Sequence, residues 1–166
     1  MISAAILTLS DKGSKGERED LAGPLIREMI SLIGATVENY EIIPDEKGLL
    51  KEKLIDYCTK VDLVLTTGGT GLSPRDITPE ATLEVIEKEV PGIAEAMRSA
   101  GLRKTKRAML SRAVAGVRGS TLIINLPGSP KAVKEGLEAI MEVIPHAIEK
   151  LKGGTEDCAV VEGGRT

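Results

Sequence analysis

Leu63-Val64-Leu65-Thr66-Thr67-Gly68-Gly69-Thr70-Gly71-Leu72-Ser73-Pro74-Arg75-Asp76-Ile77-Thr78-Pro79-Glu80-Ala81-Thr82 sets the fold class of this chain. Its first five residues form a short apolar and β-branched run, the pattern of a buried strand. The glycines that follow admit positive φ and let backbone N–H groups come close to an anion. Thr78-Pro79 then starts a helix, with a proline at its first turn and a hydroxyl expected to cap it. The positive end of that helix faces the glycine turn. No Gly-Lys-Ser/Thr follows, so this is not a Walker loop. Pro74 stands where a dinucleotide fingerprint requires glycine. Taken alone, the glycines also fit a tight strand-to-helix turn that needs only φ > 0.

The same alternation recurs on both sides. Upstream, Ile2–Leu9 reads as a buried strand and Ser10–Glu19 as a polar loop. Leu21, Leu25, Met29, Leu32 and Ile33 mark a helix that Pro24 restricts to a start near Asp20 or later and that Gly34 closes. Ala35–Ile43 reads as a strand, and Leu50, Leu54, Tyr57, Cys58 and Val61 as one face of a helix. Downstream, Pro91-Gly92 breaks the Thr78 helix and a further short helix follows. Val114–Gly119 fits an edge hairpin and Thr121–Leu126 a strand. Ser129-Pro130 starts a last helix that runs to about Leu151. Strands alternating with helices predict an α/β, three-layer sandwich: a mostly parallel central sheet with helices on both faces. Residues 1–152 make one domain, and 153–166 a tail that either adds an edge strand or dangles. In such sheets ligands bind beyond the carboxyl ends of the strands, here where Ser10–Glu19, Gly68–Ile77 and Pro127–Lys131 converge.

Composition narrows the function. The 166 residues are 42% hydrophobic and 28% charged, with a net charge of −3, a globular profile that advertises neither nucleic acid nor membrane. Two Tyr and no Phe or Trp leave no platform for stacking single-stranded bases. No apolar run approaches the ~18 residues needed to span a bilayer, and Met1–Leu9 lacks a basic leader. Cys58 and Cys158 make no CxxC and read as free thiols, so the expected compartment is the cytoplasm. His146 is the sole histidine and no Gly-x-Ser-x-Gly elbow is present, which leaves zinc and triad chemistry without residues.

The remaining candidates suit phosphate chemistry. Asp45, after Ile42-Ile43-Pro44, and Asp76 each stand just beyond a strand. If those strands are neighbours, both carboxylates face one cleft, where hard oxygen ligands hold Mg²⁺ together with substrate phosphates. Asp45 also fits a helix cap and Asp76 a turn former. Asn125-Leu126-Pro127-Gly128-Ser129-Pro130-Lys131 is a second strand-turn-helix that offers an anion its amino end and Lys131, or is simply a well-made helix start. Arg75, Arg112 and Lys131 are candidate phosphate partners. Arg103-Lys104-Thr105-Lys106-Arg107 reads as a basic loop.

Thr67–Thr82, Ile43-Pro44-Asp45, Asn125–Lys131 and the opening Leu9-Ser10-Asp11-Lys12-Gly13 together resemble the molybdopterin adenylyltransferases and the G domain of gephyrin, over about Ile2–Leu151. The resemblance implies a homotrimer with adenylyl transfer from Mg-ATP to molybdopterin, giving adenylyl-molybdopterin and pyrophosphate. It implies Asp45 and Asp76 as the catalytic, Mg²⁺-associated acids. Thr67, Gly68, Gly69, Thr70 and Gly71 would hold nucleotide and pterin phosphate, with Arg75 and Glu80 from the same string. Ser10, Ser111, Pro127, Gly128, Ser129 and Lys131 would line the pterin and nucleotide sites. A downstream molybdate-insertion enzyme is a further partner to consider. The superfamily leaves two alternatives, a non-catalytic molybdopterin-binding or scaffolding trimer and a nucleotide hydrolase of the competence-damage type. The chemistry fits the inventory, because a phosphate monoester is largely an anionic nucleophile at neutral pH and needs no histidine base.

Overall fold

The computed structural model describes residues 1–154. Along the chain run β1 (Ile2–Leu9), the short α1 (Asp11–Ser14), α2 (Ala22–Ser31), β2 (Ala35–Ile43), α3 (Lys47–Tyr57), β3 (Leu63–Thr67), α4 (Thr78–Val85), β4 (Lys88–Glu89), α5 (Pro91–Leu102), β5 (Ala115–Arg118), β6 (Thr121–Leu126), α6 (Pro130–Ile140) and α7 (Ile144–Leu151). One sheet of order β2-β1-β3-β6-β5-β4 runs through the middle. The β1–β2, β1–β3 and β3–β6 pairs are parallel, whereas β5 is antiparallel to β6 and to β4.

Helices cover both faces, so the central strands are apolar on both sides. Strand alternation divides them cleanly. Ile6, Leu65 and Ile124 sit in register across β1, β3 and β6 and pack toward α2, α5, α6 and α7. Ala5, Val64 and Ile123 form the next row and pack toward α3 and α4. The three-layer α/β expectation holds.

The topology also fixes where a ligand can sit. From β1 the chain crosses over to β2 on one side, and β3 then pairs with the other side of β1. The loops after β1 and β3 therefore leave in different directions and open a crevice between them, the switch point at which doubly wound sheets bind ligands.

Several local expectations are corrected. Thr78 does not cap α4; it is fully buried, and its hydroxyl donates to the Gly68 carbonyl at 2.9 Å. In a dry site that carbonyl requires a donor, which outweighs a cap that solvent can replace. Ser129 does cap α6, accepting from Ala132 N. The last helix is two helices, α6 and α7, joined by a 3₁₀ turn at Met141–Val143. Pro145 in the first turn of α7 lacks an N–H and cannot continue a regular helix from α6. The hairpin at Val114–Gly119 forms as β5–β6, but the edge is the two-residue β4, which is too short to carry a sequence period. The tail expectation lies mostly outside the described residues. No helix among the described residues is long and apolar enough to cross a membrane.

Candidate active site

The floor of the site is the turn after β3. Gly68 has φ +94° and Gly69 φ +67°, values that L side chains rarely adopt. A β-carbon at Gly68 would lie 2.5 Å from the Leu9 carbonyl oxygen, and one at Gly69 would lie 2.4 Å from Thr78 Oγ1. Glycine is thus demanded twice at each position, by backbone angle and by space. The turn is tied down beneath: Gly68 N donates to Leu126 O, Thr78 N to Gly69 O, and Thr67 Oγ1 to Pro127 O. Behind it lies a buried polar knot. Asn125 Nδ2 donates to Thr66 Oγ1 and Thr82 Oγ1, and Val114 N donates to Asn125 Oδ1. The Thr82 hydroxyl in turn donates to Thr78 O, which extends the knot toward the glycine turn.

Asp45 and Asp76 both reach this turn. Asp45 Oδ1 would lie 3.3 Å from a β-carbon at Gly69, and Asp76 Oδ2 2.8 Å from one at Gly71. The ends of β2 and β3 are separated by β1, rather than adjacent as the sequence reading required. The loop from Gly68 to Ile77 spans that gap. Asp45 is not a helix cap, since α3 starts from Glu46 without a side-chain cap. Its Oδ2 instead accepts from Asp11 N at 3.1 Å, and Asp45 N donates to Asp11 Oδ1 at 3.0 Å. Arg75 grips Asp11 with two bonds, Nε to Oδ2 at 2.9 Å and Nη2 to Oδ1 at 2.7 Å. The Arg75 fork, followed by the Asp45 N–H, holds the Asp11 carboxyl below its usual pKa. Burial, followed by the charges of Asp11 and Asp76, pushes the Asp45 carboxyl up, against the pull of the Asp11 N–H. Asp76 accepts from Ser73 N at 2.9 Å, the bond of a turn former.

Two cavities meet at the glycine turn. One, of about 470 Å³, lies at the switch point and is lined by Ser10, Asp20, Thr67, Gly68, Gly128 and Ser129 among others. All three predicted loops contribute to it. The second, of about 280 Å³, is floored by apolar groups of α5 and the 3₁₀ turn at Lys106–Leu110, and its wall includes Thr70, Gly71, Ser111 and Pro127. Asp45, Asp76, Arg75, Glu80 and Lys131 line neither cavity. Lys131 is exposed in the first turn of α6, and Arg75 is engaged by Asp11. Arg112 is turned toward backbone carbonyls of the glycine loop.

Sequence reasoning assigned no role to Asp11 or Asp20. Asp20 Oδ2 accepts from Thr8 Oγ1 and Tyr40 Oη, both at 2.6 Å, and its Oδ1 accepts from Ala22 N and Gly23 N. Burial opposes ionisation of Asp20, but these four bonds outweigh it and lower the pKa. Burial and the Asp20 carboxylate push the Tyr40 hydroxyl up to about 12. An acid two residues before a helix is a capping signal and could have been read.

Among the described residues no group of three or more His, Cys, Asp or Glu could hold a metal ion. Mg²⁺ usually takes one or two carboxylates and completes its shell with water and substrate phosphates, so Asp45 and Asp76 fit that ion.

A family model described as "Probable molybdopterin binding domain" matches residues 5–146. The chain belongs to this family. A molybdopterin adenylyltransferase of Helicobacter pylori is 46% identical over 92% of this chain and 89% of its own length. The crystal structure of the molybdopterin biosynthesis enzyme MoaB of Thermus thermophilus superposes with a TM-score of 0.87 at 54% identity, covering 92% of this chain and 98% of that one. Gephyrin of Dictyostelium discoideum is 41% identical over 86% of this chain, which spans only 21% of that longer protein. The family therefore carries the present fold both alone and inside larger chains.

Proposed function

We propose that this protein is a molybdopterin adenylyltransferase, which joins the adenylyl group of Mg-ATP to the phosphate of molybdopterin and releases pyrophosphate. The observation that carries the reading is that two cavities share one glycine-floored turn, with two carboxylates at that turn. Two polyanions must meet in line for this reaction, and their repulsion must be offset at the meeting point. The turn from Gly69 to Gly71 offers backbone N–H groups there, while the amino ends of α4 and α6 supply positive potential nearby. Asp45 and Asp76 would hold Mg²⁺, which supplies charge neutralisation between the phosphates. Asp45 must be ionised for that role, so its raised pKa sets an acid limit on activity. Ser10, Thr67, Gly128 and Ser129 on one side and Thr70 and Ser111 on the other orient the two substrates. Arg75, Glu80 and Lys131 remain our candidates at the rim.

The assembly is taken to be a cytoplasmic homotrimer. Exposed Leu72, Met109 and Leu110 offer apolar surface for contacts between subunits, and a molybdate-inserting enzyme is the expected recipient of the product. Pyrophosphate release from Mg-ATP, measured with and without molybdopterin, tests the reading. Release only when both substrates are present is expected. Tight pterin binding with no release would identify the non-catalytic binder instead, and release from ATP without pterin would point to a hydrolase.

A further inference from the structure

Residues Leu72–Arg75 connect the glycine turn to Asp76 and are exposed. A segment of this kind frays unless something holds it. It has few bonds of its own: Asp76 N to Ser73 O, Ser73 N to Asp76 Oδ2, and a long Arg75 N to Ser73 Oγ contact at 3.4 Å; outward, the exposed Arg75 side chain holds Asp11. Further bonds come from Arg112, in the extended stretch between the 3₁₀ turn and β5. Its backbone N donates to Thr70 O at 2.9 Å. Nε donates to Gly71 O at 2.7 Å and Nη2 to Asp76 O at 2.8 Å, while Nη1 is bonded to Glu80 Oε1 in the first turn of α4. One guanidinium thus spans both ends of the loop and the helix that follows. Three fixed directions from one planar group are what a fork provides and a point charge cannot. The Glu80 carboxylate offsets the Arg112 charge, and Arg112 lines neither cavity.

We propose that Arg112 is a positioning residue for adenylyl transfer: its guanidinium staples Gly71, Asp76 and Glu80 into one rigid unit and so fixes where the Asp76 carboxylate stands. The assignment rests on the function proposed above, with Asp76 as the acid that is positioned. It does not make Arg112 a phosphate ligand, because its side-chain donors are aimed at protein oxygens rather than into a cavity.

The test uses the full chain with Arg112→Ala and, should that variant fail to fold, Arg112→Lys. Backbone amide exchange is measured first, without substrates. In the variant the amides of Ser73, Asp76 and Thr78 should exchange at least about tenfold faster, with β3 and β6 unchanged. Steady-state adenylyl transfer is measured next, by pyrophosphate release. A fall in kcat of about a hundredfold is expected for Arg112→Ala, with KM for ATP and for molybdopterin within about threefold, the signature of a displaced supporting group. Arg112→Lys, able to reach one of the three acceptors, should fall between. Glu80→Gln keeps the two carbonyl bonds and should leave amide exchange within about twofold of the parent protein. Two results overturn the proposal: a raised KM with kcat and exchange untouched, which makes Arg112 a substrate cation, or no change in exchange at all. If the unaltered protein transfers no adenylate, the functional reading fails while the exchange result still decides whether Arg112 is a staple.

Discussion

Asp45 and Asp76 reach the same turn on arms of different build. The Asp45 arm is closed by Asp11, and behind Asp11 by Arg75, an ion pair in which the Arg75 and Asp11 side chains are 60% and 38% exposed. Exposed pairs are screened and contribute little. The Asp76 arm is closed by Arg112, which takes two backbone carbonyls as well as a carboxylate and whose side chain is 33% exposed. Backbone carbonyls do not titrate and respond little to salt, so the Arg112 link of the second arm rests largely on geometry where the outer Arg75–Asp11 link of the first rests on charge.

The largest effect is expected at Asp76. Asp76→Asn keeps an oxygen for Ser73 N but removes the charge, and should cost about 10²–10³-fold in transfer with the fold intact, read by pyrophosphate release beside circular dichroism. Near-native Mg²⁺-dependent turnover in that variant would remove Asp76 from the mechanism. Asn125→Leu undermines the Asp76 arm from below. It deprives Val114 N of its acceptor inside a fully buried knot, and should destabilise the protein by about 2–4 kcal/mol in denaturant melts.

Asp11→Asn sharpens the contrast on the other arm. It removes one of the charges that push Asp45 up and frees Arg75 to pull it down, so the Asp45 carboxyl should titrate at lower pH, seen by carbon NMR. Because Asp45 must lose its proton to act, the acid limb of the rate profile should move to lower pH with it. An unmoved limb would detach that titration from Asp45. The smallest effect belongs to Arg75→Ala. Loss of an exposed pair should change stability only slightly in denaturant melts, and that difference should shrink further in roughly 0.5 M salt. A salt-insensitive loss would mean that the two arms are alike after all.

In the parallel half of the sheet β1, β3 and β6 were legible because each is a short, largely apolar run bounded by a glycine or a polar loop, whereas β2, at the sheet edge, mixes apolar with polar residues. The structure gives β1, β2, β3 and β6 the bounds read from sequence. The glycine turn was legible for a related reason, since glycine is the residue type that the angles and spacing at positions 68 and 69 admit. The antiparallel edge was harder. Two residues of β4 carry no period, and they become a strand only because β5 offers them partners. Thr78 misled because a threonine before a proline looks the same whether its hydroxyl faces solvent or a buried carbonyl.

The alternation of period 2 with period 3.6, the positive-φ glycines and the two acids beyond strand ends were properties of the sequence, because each depends on neighbours a few residues away. The reciprocal grip of Asp11 on Asp45 and the reach of Arg112 across to Gly71 and Asp76 belong to the tertiary structure. These bonds join groups that lie 34 to 41 residues apart, and in each the partner is a backbone atom whose position no local pattern encodes.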